Sequence, residues 1–186
     1  MIHGIVTTCW FLLLVVQAGL LKLRSVKRHR QIGIAGWWLI GAVFVTGLPA
    51  AIGLGARLVE AGLQDNSDLY TADHWAQIAR DSLLFALFAS VAIAGLIYRK
   101  RIEVHKRFLL LASVVLTTPG LARLSQFKIF QWVPEPLGFL GSFAILLLLP
   151  ALRDRFVGGQ IHPILKWGGP LVFLTVFVLL LLPEII

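Results

Sequence analysis

The sequence predicts an all-α integral membrane protein: six transmembrane helices arranged as three hairpins in a single domain, residues 1–186, with N- and C-termini on the external, periplasmic side. Three observations predict it. Of 186 residues, 58% are apolar and 14% charged, and the mean hydropathy of +0.86 lies outside the range of soluble domains. The apolar residues fall into six runs long enough, or nearly so, to cross a hydrocarbon core about 30 Å thick as helices. Lys and Arg gather in alternate loops, as topology charges do.

The first run, Ile2–Leu21, stands in front of the basic cluster KLRSVKRHR. A cleavable signal peptide carries its basic residues before its apolar core, so this run is expected to remain as a span. The second, Ile32–Ala56, holds Gly33, Gly36, Gly41, Gly47, Gly53 and Gly55, which allow close approach of neighbours, and Pro49, which kinks it. A central place in the bundle is expected for it. The loop from about Arg57 to Arg80 is external and acidic, and TADHWAQIARD within it is expected to open a helix capped by Thr71 that runs into the third span, Ser82–Tyr98. The fourth, fifth and sixth spans are Phe108–Ala122, Leu137–Leu152 and Ile164–Leu182, with Pro119 and Pro170 as further kinks. Stretches such as LLFALFASVAIAGLIY are apolar on all sides, whereas a membrane β-strand alternates apolar and polar residues.

Thirteen of the 17 Lys and Arg residues follow spans one, three and five, with only Glu103 and Asp154 on that side. The opposite side carries Arg57, Arg80, Arg123 and Lys128 against seven acids. The positive-inside rule therefore places the three basic loops in the cytoplasm of a bacterial inner membrane. It also accounts for the net charge of +8 without a nucleic-acid partner, and makes anionic lipid head groups the expected partners of those loops. The single cysteine, Cys9, excludes an internal disulfide and a Cys-based zinc or iron–sulfur centre. No nucleophile beside a base and no phosphate-binding glycine loop is legible, so an enzyme is not expected.

Histidines supply the most informative pattern. His29, His105 and His162 each lie in a basic loop two or three residues before an even-numbered span, in RHRQI, EVHKRF and QIHPIL. Three imidazoles at one depth could converge on a transition metal, or two could ligate the iron of haem b, with cationic neighbours favouring the neutral ring. The alternative is that they meet lipid phosphates or cap helix ends. At the outer edge, Asp81 opens span three and Arg123 closes span four, and an ion pair between them is the expected way to hold both charges there. The in-span polar residues Gln17, Thr46, Ser90, Ser113, Thr117, Thr118 and Ser142 can satisfy themselves on helix backbone, which argues against a path for a charged solute. Trp10, Trp75, Trp132 and Trp167 suit an interfacial belt, and Trp37 and Trp38 are expected deeper, against neighbouring glycines.

His3-Gly4, HRQIG at 29–33, DSLLFAL at 81–87, HKRFLLLA at 105–112, ARL at 122–124 and HPILKWGG at 162–169 together resemble the small polytopic bacterial membrane proteins of unknown function that carry HG, HRxxG, HKRxxLLA and HPxxxWGG motifs. The longer outer loop and FKIFQWVPEP after span four depart from that pattern. The resemblance implies that His3, His29, Asp81, His105, Arg123, His162 and Trp167 are the positions to test. The HR and HKR span starts also look, more distantly, like those of proteins that assist cytochrome oxidase assembly or haem delivery. Three functions are thus expected in order: a haem- or metal-binding redox or assembly protein, a scaffold or accessory subunit docking a membrane partner or a second copy through Gly36 and Gly41, and a small transporter or proton pathway at Asp81.

Overall fold

The computed structural model describes residues 2–60, 62, 65, 71–122 and 135–185, and all regular structure among them is helical. In order these are α1 (Ile2–Lys22), α2 (Val26–Gly33), α3 (Ala35–Ile52), α4 (Leu54–Glu60), α5 (Ala72–Ile97), α6 (Ile102–Leu116), α7 (Thr118–Ala122), α8 (Glu135–Gly158) and α9 (Pro163–Ile185). Four helical segments, Ile2–Lys22, Val26–Ile52, His74–Lys100 and Pro163–Leu181, are long and apolar enough to cross a membrane. α6, in the fourth expected span, has 15 residues and carries Glu103, Lys106 and Arg107 in its first turns, and α8, in the fifth, has 24 residues and carries Arg153, Asp154 and Arg155 near its end.

Local chemistry sets the helix ends. α1 stops where Arg24 takes a left-handed φ of 56°, and the Arg24 and Ser25 amides turn back onto the Leu21 and Leu20 carbonyls. The second expected span divides into α2, α3 and α4. Pro49 removes one backbone donor inside α3, and the helix gives way at Gly53. Thr71 caps α5 as expected, its side chain accepting from the His74 amide at 3.3 Å, so the third span begins ten residues earlier than its apolar core.

α5 is the hub, packed on α3, α6 and α9, while α3 lies between α1 and α5. Two glycines explain how closely these helices approach. A Cβ at Gly47 of α3 would lie 2.7 Å from the Phe85 ring of α5, and one at Gly95 of α5 would lie 3.1 Å from the Phe108 Cβ of α6. Gly36 likewise faces Leu13 and Leu96, whereas Gly41 meets open space. Of the two glycines expected to dock a partner, Gly36 is thus packed within the chain and Gly41 is not. The core runs through Trp10, Val43, Phe88, Ala92, Ala112, Val115, Phe143 and Val176.

Two tryptophan expectations are corrected. Trp10 is not in an interfacial belt but fully buried, edge-on to Phe88 at 5.0 Å, with its indole N–H donating to the Ser113 hydroxyl at 3.1 Å. Trp38 is 78% exposed and points away from the bundle, because the helix face it occupies lies opposite the one that meets α1 and α5. Trp75 and Trp167 are exposed, and Trp132 lies outside the described residues.

Candidate functional site

The two ends of the bundle carry different polar machinery. At the end with the basic loops, Arg107 of α6 is buried and grips buried Asp154 of α8 with two hydrogen bonds of 2.8 Å, from Nε to Oδ2 and from Nη2 to Oδ1. Its Nη1 donates to the Glu103 carbonyl at 2.7 Å and to the Glu103 carboxylate. The His162 amide adds a third donor to Asp154, at 3.3 Å. Hydrogen bonding from Arg107 holds the Asp154 carboxyl below its usual range, reinforced by the His162 amide. Hydrogen bonds from Lys106 and then Arg107 lower exposed Glu103 to about 2. Burial pulls Arg107 down, but its bonds to Asp154 and Glu103 outweigh this and raise it. The sequence reading missed this pair. Its signal was a lone acid in a strongly basic loop, one turn from the end of an apolar run.

The three loop histidines take backbone partners. His105 Nδ1 lies 2.7 Å from the Gly95 carbonyl in the last turn of α5. A carbonyl only accepts, so Nδ1 carries the hydrogen and closes one of the carbonyls the helix end leaves open. His29 Nδ1 faces the Gln17 carbonyl in the same sense, at 3.4 Å. His162 does the reverse, its Nδ1 accepting from the Ile164 amide at 3.2 Å at the start of α9. Among the described residues no group of three or more His, Cys, Asp or Glu side chains is placed to share a metal ion. In the neutral form the Nε2 atoms of His29 and His105 keep a lone pair.

At the opposite end a cavity of about 110 Å³ opens between α1, α3, α4, α5, α6 and α7, with His3, Arg57, Asp81 and Thr118 among its polar lining and Phe85 and Leu116 among its apolar walls. Each polar group is placed by a local device. Thr46 donates its hydroxyl hydrogen to the Ala42 carbonyl at 2.6 Å, and its oxygen then receives His3 Nδ1 at 3.1 Å, tying α1 to α3. The His3 ring stands edge-on to Phe85 at 5.1 Å. Arg57 folds back so that Nη2 caps the Ala50 carbonyl, which the break at Gly53 leaves without its helical partner. Asp81 has Arg80 Nε 3.7 Å away. Arg123, its expected partner, lies outside the described residues.

Sequence reasoning singled out His3 and Asp81 here but passed over Arg57 and Thr46. Ser90, Ser113, Thr117 and Thr118 do bond to their own helices, as Thr46 does. Gln17 does not, since its amide nitrogen and oxygen are both buried with no hydrogen-bond partner among the described residues. No known protein family, characterised protein or solved structure matches the chain.

Proposed function

We propose that the chain is a six-span protein of a bacterial inner membrane, three hairpins with both termini outside, whose function is to bind a small polar solute in the cavity at its outer edge. The apolar helices, the short basic loops at one end only, and the charged ends of α6 and α8 support that topology. The observation that carries the functional reading is the cavity itself: apolar walls with an imidazole, a guanidinium, a carboxylate and a hydroxyl converging on one small volume. Among the described residues nothing comparable is assembled at the basic end, where Arg107, Asp154 and the histidines are engaged in fastening helices together. The basic loops there suit anionic lipid head groups.

The test uses Ala51, a buried residue that lines the cavity. With Cys9 replaced by Ser, Ala51→Cys in sealed vesicles is expected to react with a small membrane-impermeant thiol reagent added from outside, and to be protected by the bound solute. Failure to react from outside, or reaction from inside only, would refute the site and its side together.

A second reading rests on one observation, the unprotonated Nε2 of His29 and His105 in their neutral tautomers. We propose these as the candidate ligands of haem b or a transition metal in a redox or assembly role, with His162 less suited because its Nδ1 is already engaged and its Nε2 carries the hydrogen. An absorption spectrum and metal analysis of protein made with ample haem precursor and iron decide it. A Soret band lost on His105→Ala supports the cofactor, and a clean spectrum without metal leaves both histidines as ties to the backbone of the preceding helix.

A further inference from the structure

We propose that the outer cavity takes a short-chain monocarboxylate, with its carboxylate on the Arg57 guanidinium and its alkyl end against Phe85 and Leu116. This rests on the cavity being a solute site, as argued above, and names the class of solute.

Three features lead to it. The first is a pre-positioned cation. Arg57 lines the cavity, and its Nη2 is held on the Ala50 carbonyl. A guanidinium has five N–H donors in a planar fork that matches the two oxygens of a carboxylate, so most of them remain for a ligand after that bond. Among the described residues Arg57 forms no ion pair, and its exposed side chain stays within reach of a solute. Asp81 lines the same cavity but its charge is already met, by Arg80 Nε at 3.7 Å and by a further interaction. His3, the remaining ionisable group of the lining, turns Nδ1 to Thr46 and brings no negative charge. The cation left to read a solute is therefore that of Arg57, and the nearness of Asp81 favours a monoanion over a dianion such as sulfate.

The second is the wall. Leu84, Phe85, Val115 and Leu116 offer an alkyl group an apolar surface, on which each buried methylene adds about fourfold in affinity. Thr118 spends its hydroxyl hydrogen on the Val115 carbonyl, so it gives no donor to a carboxylate and leaves that task to Arg57. The third is size. An apolar cavity of about 150 Å³ accommodates benzene, with its six heavy atoms. A volume of about 110 Å³ therefore suits acetate or propionate.

The experiment measures binding to the full chain in phosphatidylcholine nanodiscs by calorimetry. The probes are acetate, propionate, hexanoate, sulfate, the neutral propionamide and the cation n-propylammonium. Propionate is expected to bind about fourfold more tightly than acetate. It should also bind at least tenfold more tightly than sulfate, propionamide or propylammonium, and hexanoate should gain nothing over it. Arg57→Gln should remove the advantage over propionamide, and Arg57→Lys should keep part of it. Equal or tighter binding of sulfate, propionamide or propylammonium overturns the monocarboxylate, as does propionate affinity unchanged in Arg57→Gln. A lipid phosphate on Arg57 would show as a tenfold or greater loss of propionate affinity in nanodiscs made with phosphatidylglycerol, which overturns the free solute; an affinity kept there supports it. Should Arg57→Gln fail to fold, the ligand series on the unaltered protein decides alone. If Ala51→Cys reacts from outside but no carboxylate binds, the class falls while the solute site stands. If Ala51→Cys does not react, the site itself falls.

Discussion

Replacing Asp154 by Asn should destabilise the folded bundle by about 3–5 kcal/mol, more than any other single polar change at the basic end. The carboxylate receives two 2.8 Å hydrogen bonds from one guanidinium, and both side chains are more than nine-tenths buried. Hydrogen bonds to charged groups contribute about 1.5–3 kcal/mol each, and an amide can satisfy only one of the two N–H donors before turning its own NH₂ against the other. Arg107 keeps the Glu103 carbonyl and carboxylate, which places the loss towards the lower end of that range. Replacing both partners with apolar residues, as in Arg107→Met with Asp154→Leu, should return most of the stability, because no buried charge is then left alone. The assay is reversible unfolding in mixed micelles of mild detergent and SDS, followed by helical circular dichroism, for the wild type, both single variants and the double. The pH dependence has a definite sign. Asp154 titrates lower in the folded state than in the unfolded one, so its contribution is fully present above the unfolded value near about 3.9 and is lost as pH falls through the folded value. Stability should therefore not change on this account between pH 5 and 8. A loss below about 1 kcal/mol in Asp154→Asn, or additive effects in the double variant, would refute the reasoning.

Three further outcomes are expected. Gly47→Ala sets a Cβ 2.7 Å from the Phe85 ring and should cost about 1–3 kcal/mol, largely recovered by Phe85→Leu; a neutral effect in the same unfolding assay would mean that α3 and α5 are not so closely apposed. His105→Ala should cost about 1 kcal/mol by opening the Gly95 carbonyl, and His105→Asn, which offers an N–H from a similar place, should recover part of it. Trp10→Phe keeps the ring packing on Phe88 but removes the donor to Ser113, so a loss of about 0.5–1.5 kcal/mol is expected and should vanish in a Ser113→Ala background.

Helical class and the apolar cores of the spans were legible because all-round apolarity at this length has few other physical solutions. The Thr71 cap was legible too, since a threonine with an open turn after it is a local device. What escaped depended on pairings between distant segments. Arg107 and Asp154 lie 47 residues apart, and each alone reads as a loop charge. Arg57 reads as an ordinary external cation until the break at Gly53 returns it to Ala50. Trp10 suits an interfacial belt by its place in the sequence, but its helix face is turned towards α5 and α6, where Phe88 and Ser113 lie. The histidines repeat in sequence position, yet the partners they find are backbone atoms of adjoining helices, which no side-chain pattern encodes.

α1 carries His3 into the cavity, yet it is held less than any of its apolar neighbours. Only 6% of its apolar window is buried inside the bundle, against 33% for the segment built on α5, and it is held mainly by α2 and α3, with Trp10 and His3 reaching α5 and α6. Local opening begins where the fewest contacts must be broken. Of the helices that wall the cavity, α1 is thus the one expected to give way at least expense, on its lipid-facing side. If a solute binds there as proposed, acyl-chain order and lateral pressure would bear on how fast it enters or leaves, while its affinity would stay with the polar groups inside.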